Sequence, residues 1–455
     1  MSTTLDRDLD LRQGFTTDAS GLSLMPEALA RPVTTDEVVE VLRAAAADRL
    51  AVTAAGGQTS TTGAGITDRG VLLSLRGLAR VLEVDVAART VRCEAGVIVL
   101  EAKRVAAEHG LLLPLDPTSE PDATIGGAVA CNASGARSLA WGVTRDWVRG
   151  LTVALANGEV LHLRRPALEK NTVGFRPVQD LVDWFVGSEG TLGVVLEVEL
   201  ALLPLPSRVV GLAVPFDRAA DALAFVVSAR RSADVSPRCL EYLDAAAVAI
   251  AREAQHDPQW AHGAEGLVYL EEASAGDDPP LDAWLALAEA HAARTADIRV
   301  YETEAEQREA KRLRHHVPAR LYEFSGPLRA AGGRRISTDW AVPYPRLAEA
   351  LAHSRALCEQ AGVETGVTFG HAGNGHPHQN FLGRDAAEVA RIEAVVAEQL
   401  RWVVANGGTV AAEHGIGKLK RKFANIQLTP PQVALMRAVK RELDPDHRLA
   451  PGNLF

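Results

Sequence analysis

The sequence predicts an α+β fold in two parts. A mixed α/β region runs to about Pro206, and a second region follows in which a sheet carries helices on one face. Three observations predict it. Helix and strand signals alternate from about residue 31. Asn157-Gly158 stands between two apolar runs, a strong hairpin signal. From Val209 onward, strand-like and helix-like segments alternate in longer units. With 455 residues the chain has room for two or three domains, at roughly 100–200 residues each.

The elements follow in order. Thr34-Thr35-Asp36-Glu37 is a capping box ahead of Val38, Val41, Leu42 and Ala45, which share one helical face. Short strands are predicted at 50–55, 71–75, 81–85 and 90–95. A helix over about 97–109 ends at Gly110, a usual C′ residue. Strands at 151–155 and 159–163 flank Asn157-Gly158. Beyond Pro206 the pattern predicts a strand at 209–216, a helix at 217–232, a strand at 267–273 and a helix near 281–296. A strand at 335–342 and helices near 345–361 and 385–405 follow. Residues 257–263 and 274–280 read as surface loops. No internal repeat or low-complexity tract is present.

Composition removes several classes. A net charge of −10 and the lack of a dense basic run argue against nucleic acid as a partner. Cys93, Cys131, Cys239 and Cys358 are scattered without a CxxC, which excludes an iron–sulfur ligand set and gives no disulfide framework. The polar start, without a signal peptide, and the lack of any apolar run of spanning length predict a cytoplasmic protein, at most peripheral to a membrane.

The chemistry-bearing residues fall in glycine-rich stretches. Gly56–Gly65 lacks both G-x-G-x-x-G spacing and the P-loop pattern. Its successive amides suit a pyrophosphate, and a plain turn is the competing account. Two more such runs follow, from Pro114 to Gly142 and from Val186 to Val195, and so many small residues suggest a backbone that approaches something large and flat. Near the C-terminus stand His371-Ala372-Gly373-Asn374-Gly375-His376-Pro377-His378 and Glu413-His414-Gly415-Ile416-Gly417. His371 and His378 lie seven apart, so a straight strand would point them to opposite faces. Gly373 and Gly375 permit the turn that brings them together. With Glu413 they form a zinc or iron set, leaving His414 for proton chemistry. Solvated histidines on a glycine loop are the alternative.

These five pieces, in this order, resemble the vanillyl-alcohol oxidase/p-cresol methylhydroxylase flavoprotein superfamily. The C-terminal pair is similar to its FAD-linked D-2-hydroxyacid dehydrogenase/oxidase branch, which includes D-lactate dehydrogenase, glycolate oxidase catalytic subunits and D-2-hydroxyglutarate dehydrogenase. The resemblance implies a PCMH-type FAD-binding domain of two α/β subdomains and a substrate (cap) domain whose antiparallel sheet is covered by helices. The implied bounds are an N-terminal extension at 1–30, the FAD domain at 31–206, the cap at 207–410 and a segment at 411–455 returning to the FAD domain. It implies that residues 54–60 (among them Ala55, Gly56, Gly57, Gln58, Thr59 and Ser60) with Gly63 hold the FAD pyrophosphate. Asp116, Thr118, Thr124, Gly126, Gly127, Ser134 and Gly135 would contact the ribityl and flavin portions, and Glu189, Gly193 and Val195 the adenine side or ring edge. Thr59 stands where covalently flavinylated relatives carry histidine, so the FAD would be non-covalent.

By the same resemblance His371, His378 and Glu413 bind a divalent metal, zinc ahead of iron or manganese. His414 is the base, Arg314 clamps the substrate carboxylate, and Asn380 adds a polar contact to substrate or metal. Several residues depart from the pattern. His376 adds a third imidazole that competes as ligand, Pro318 replaces a hydroxyl residue, and Ser337 stands where the 2-hydroxyglutarate enzymes carry lysine. A surface ion pair competes with the clamp at Arg314. The implied reaction oxidises a lactate- or glycolate-like D-2-hydroxy acid to the 2-oxo acid. Electrons would pass to an external acceptor: a quinone, a separate iron–sulfur subunit or an electron-transfer flavoprotein. A homodimer is left open. The alternatives are a non-redox flavoenzyme of the alkylglycerone-phosphate synthase type, a non-catalytic flavin-binding subunit and a flavin-free metallohydrolase.

Overall fold

The apolar runs assemble into sheets of two kinds. The computed structural model describes residues 5–454, apart from 169, 256, 258 and 275–277. Parts of the loops expected at 257–263 and 274–280 therefore lie outside the described residues. The chain divides into two compact units, one of residues 1–135, 142–205 and 413–455, the other of residues 136–141 and 206–412.

The first unit holds a three-stranded parallel sheet and a five-stranded antiparallel sheet. Val71–Ser74 is the central strand of the parallel sheet, flanked by Ala28–Ala30 and Val52–Ala55. All three residues of Ala28–Ala30 are buried, so residues expected to form an N-terminal extension supply a core strand. The Thr35–Ala47 helix starts at Thr34, whose side chain accepts from the Glu37 amide, and buries Val38, Val41, Leu42 and Ala45. The Asn157-Gly158 hairpin joins Val148–Ala154 to Val160–Arg164, with Ala154 opposite Val160.

The C-terminal segment is locked into this unit by buried charge. Lys440 donates to the Thr191 carbonyl at 2.6 Å and to the Leu449 carbonyl at 3.0 Å. It also bonds the Asp444 carboxylate, which accepts from the Arg448 and Leu449 amides at 3.0 and 2.7 Å. Val52 donates its amide to the Arg448 carbonyl and accepts from the Ala450 amide, both at 2.8 Å.

The second unit is a seven-stranded antiparallel sheet. Arg299–Tyr301 forms one edge, followed by Arg208–Phe216, Gly266–Ser274, Pro237–Asp244, Val367–His371, His376–Asp385 and, at the other edge, Gly332–Ser337. Helices cover both faces, not the one expected. Ala213, Leu243 and Tyr269 pack with Val248, Leu313 and Val317 of the helices Ala245–Glu253 and Glu304–Ser325. On the other face Phe216 meets Phe225 at 5.5 Å and Phe225 meets Trp284 at 6.0 Å. The reason is visible in the central strands: Val210–Phe216 is buried at every position, which needs an apolar cover on each side. Among the described residues no helix is long and apolar enough to cross a membrane.

Candidate functional site

Two assemblies, one within each unit, collect the residues singled out in the sequence. In the first unit a cavity of about 420 Å³ is lined by the loop after the Val52–Ala55 strand, by residues 117–119, by most of residues 123–134 and 189–195, and by Glu413 and His414. Ala55, Gly56, Gly57, Gln58, Thr59, Ser60, Thr118, Thr124, Gly126, Gly127, Ser134, Glu189, Gly193 and Val195 all line it. Gly63, Asp116 and Gly135 do not. Asp116 pairs with Lys103 at 3.4 Å, and a Cβ on Gly135 would stand 1.8 Å from the Asp116 carbonyl oxygen. Gly63, at φ +79°, accepts from Lys418 Nζ at 3.1 Å.

The small residues have two physical reasons, only one of which was expected. A Cβ on Gly56 would lie 2.2 Å from Thr124 Oγ1, on Gly57 2.0 Å from the Asp122 oxygen, and on Gly126 2.6 Å from Ala95. These glycines leave room for other parts of the chain, which a Cβ would meet. The loop's capacity for a ligand lies in its amides. Among the described residues no protein acceptor takes the backbone N–H groups of residues 57–61. A row of such donors beside a cavity fits the pyrophosphate of a dinucleotide cofactor.

The Glu413–Gly417 motif is held to this cavity by its backbone. Cys131 Sγ donates to the Glu413 carbonyl at 3.3 Å, and Thr62 Oγ1 to the His414 carbonyl at 3.3 Å. The Glu189 carboxylate accepts from the Ile416 and Gly417 amides at 2.6 and 2.7 Å. Burial nonetheless pushes the Glu189 carboxyl above its ordinary range, against the lowering effect of those two amides. A Cβ on Gly415 would meet Glu189 Oε1 at 2.6 Å, and one on Gly417 would meet Thr62 Oγ1 at 2.4 Å. The motif's glycines thus let the chain press against Glu189 and Thr62, which fixes the stretch carrying His414. Glu189, expected as a cofactor contact, has its carboxylate committed to this task.

In the second unit, the strands Val367–His371 and His376–Asp385 pair through a turn at Ala372–Asn374 that Gly375 closes at φ +68°. A Cβ on Gly375 would lie 2.0 Å from the Val342 oxygen. The register sets His371 opposite His376 and Phe369 opposite His378. All three imidazoles consequently share one face, with ring centres 4.5–5.4 Å apart. Each offers a nitrogen within 4.8 Å of the others.

Carboxylates orient this cluster. His371 Nδ1 bonds Glu241 Oε1 at 2.7 Å, which fixes the orientation of the ring. His376 Nε2 lies 3.2 Å from Asp339. Buried imidazoles backed by carboxylates are the donor set and outer shell that a divalent transition metal takes, so the residues fit such an ion. Arg314 Nε lies 3.3 Å from Glu241 Oε2, with side chains 13% and 5% exposed, so the pair is buried and not on the surface. Asn380 is buried and donates to the His378 carbonyl at 3.3 Å.

Glu271 lies farther along the same sheet, 2.7 Å from Arg137 and 3.3 Å from Arg238, and accepts from the Tyr269 hydroxyl at 3.0 Å. Burial alone would raise its carboxyl, but the arginines hold it down to about 2. The sequence reading missed Glu241 and Glu271. Their signal was a carboxylate inside an apolar strand, Leu240-Glu241-Tyr242 and Tyr269-Leu270-Glu271, where burial demands a partner.

Residues 26–164 match the family of FAD binding domains, and residues 205–454 match the family described as FAD linked oxidases, C-terminal domain. The chain is 30% identical to the glycolate oxidase subunit GlcD of Bacillus subtilis (strain 168), over 95% of this chain and 89% of that protein. It is 33% identical to a D-2-hydroxyglutarate dehydrogenase of Xanthomonas citri pv. viticola, over 94% and 89%. With a D-lactate dehydrogenase of Anaerostipes hadrus it shares 30% identity over 98% and 93%. A solved structure of alkyldihydroxyacetonephosphate synthase superposes with a TM-score of 0.72 at 17% identity, covering 98% of this chain and 82% of that one, a likeness of fold.

Proposed function

The chain belongs to the FAD-linked oxidases, in the branch of D-2-hydroxyacid dehydrogenases and oxidases, and from that premise we propose that it oxidises the C2–H of a small D-2-hydroxy acid to the 2-oxo acid, passing electrons to an external acceptor. The observation that carries this reading is the first unit's cavity, whose lining combines a row of unbonded amides with Glu413 and His414.

When bound, FAD supplies the hydride acceptor, and a divalent ion supplies a Lewis acid for the substrate's hydroxyl and carboxylate. The amides of residues 57–61 would receive the pyrophosphate, and Thr59 gives no imidazole for a covalent link. His371, His378 and Glu413 would hold the ion, with zinc ahead of iron or manganese, and His376 competing for a place in the set. The pairing of His371 with Glu241 supports this role, since it fixes the ring and raises its basicity. His414 would take the hydroxyl proton as C2–H is lost, the task of a general base. Arg314 would clamp the substrate carboxylate by sharing its guanidinium between that group and Glu241, and Asn380 would add a polar contact.

The test is direct. Purified protein reconstituted with FAD should be yellow, should release its flavin on acid precipitation, and should bleach with a D-2-hydroxy acid before transferring electrons to a dye. Flavin that stays with the precipitated polypeptide rules out the non-covalent reading. A flavoprotein that no hydroxy acid bleaches rules out the reaction.

A further inference from the structure

Arg335 belongs to the histidine-bearing sheet face, and the proposed chemistry has no use for it. It sits on the edge strand Gly332–Ser337, opposite Leu382. Side chains alternate along a strand, so Arg335 and Ser337 share the face of Leu382, Asn380, His378 and His376. Its neighbour Arg334 points to the opposite face and pairs with Glu393. Arg335 has no such partner: among the described residues no carboxylate or other acceptor lies within ion-pair or hydrogen-bond distance of its guanidinium. It is nonetheless half-buried, and burial pulls its pKa below the ordinary arginine value, opposed only by Tyr322 of the Glu304–Ser325 helix. A half-buried guanidinium without an anion is costly, which makes an anionic ligand its natural complement.

Resting on the hydroxy-acid reading above, we propose that Arg335 binds a second carboxylate of the substrate, so that the preferred acids are D-2-hydroxydicarboxylates and not lactate or glycolate. Leu382, opposite Arg335, is four residues from His378, about 14 Å at roughly 3.4 Å per residue. An arginine side chain and a four- or five-carbon diacid fill that interval between them.

The experiment measures kcat/KM of the FAD- and metal-loaded enzyme for D-malate, D-2-hydroxyglutarate, D-lactate and glycolate, in wild type, Arg335→Leu and Arg335→Lys. The wild type should favour a diacid. Arg335→Leu should lower the diacid-to-lactate ratio by about 10–100-fold, the range for losing a charged hydrogen bond, chiefly through KM. Arg335→Lys should restore part of that ratio, and its flavin content serves as the check on folding. A wild type that favours lactate or glycolate, or an Arg335→Leu that lowers all four acids alike, overturns the second-carboxylate proposal while leaving hydroxy-acid oxidation standing. Failure of every acid to bleach the flavin overturns the hydroxy-acid reading itself, and this proposal with it.

Discussion

The two assemblies are built from different materials. The cavity of the first unit is lined mostly by alanines, glycines and small hydroxyl residues, with a row of loop amides beside it. The cluster of the second unit is made of side chains, three imidazoles and a set of paired charges displayed by the register of one sheet. A backbone site tolerates changes in side chains but not in loop conformation. A side-chain site behaves the other way, because its strands persist when a ring is removed. His414 is the exception in the first unit, the proposed base on a motif otherwise held by its main chain.

That exception carries the largest expected effect. His414→Ala should lower the rate of flavin reduction by about 10²–10⁴-fold, the usual range for a lost general base, seen in kcat more than in KM. Stopped-flow bleaching with an active acid measures it. A near-normal rate in flavin- and metal-replete variant would remove His414 as the base and make His376 the next candidate.

The contrast in materials is sharpened by paired losses. Gly57→Val forces a Cβ to within 2.0 Å of the Asp122 oxygen and should abolish FAD retention, whereas Thr59→Ala should keep it. His378→Ala should lose the metal and keep FAD, as read by elemental analysis beside the flavin spectrum. Should His378→Ala retain its ion, the competing ligand His376 takes over the role, which His376→Ala then checks. A smaller effect is expected one shell out. Glu241→Gln should weaken metal affinity about 10–100-fold, the usual cost of an altered outer-shell partner, and unchanged affinity in a chelator titration would separate Glu241 from the metal.

The smallest effect is on acid stability. The Glu271 carboxyl is held at about 2 in the folded chain against an ordinary 4.5, so its folded pKa is depressed. Its contribution is complete above about pH 4.5 and is lost as pH falls toward 2. The stability gap between wild type and Glu271→Gln should therefore narrow between pH 5 and pH 3 in denaturant unfolding. A constant gap would mean that the arginines do not hold this carboxylate.

Legibility differed between the assemblies for the same physical reason. The His371/His378 spacing and the glycines between them required a turn, and the structure supplies one with Gly375 in the left-handed region. The capping box at Thr34 and the hairpin at Asn157-Gly158 were equally readable, because each is a local rule. Glu241, Glu271 and Arg335 were not read as site residues. The partners of the two glutamates come from elements far away in sequence. The helix Glu304–Ser325 also escaped notice, its polar composition giving no clear apolar stripe although Ala310, Leu313, Val317 and Leu321 are buried.

The sequence by itself determined the family, the order of the glycine loops, the residue types available for proton and metal chemistry and most of the local elements, since these depend on neighbours a few positions apart. Only the tertiary structure decided that Gly56, Gly57 and Gly126 make room for neighbouring protein atoms, that Gly415 and Gly417 press the His414 stretch against Glu189 and Thr62, that Arg314 is a buried partner of Glu241, and that Arg335 shares a face with His378. Each of these depends on which distant backbone segment lies within a few ångströms, and that is set by sheet register and packing, which no local pattern encodes.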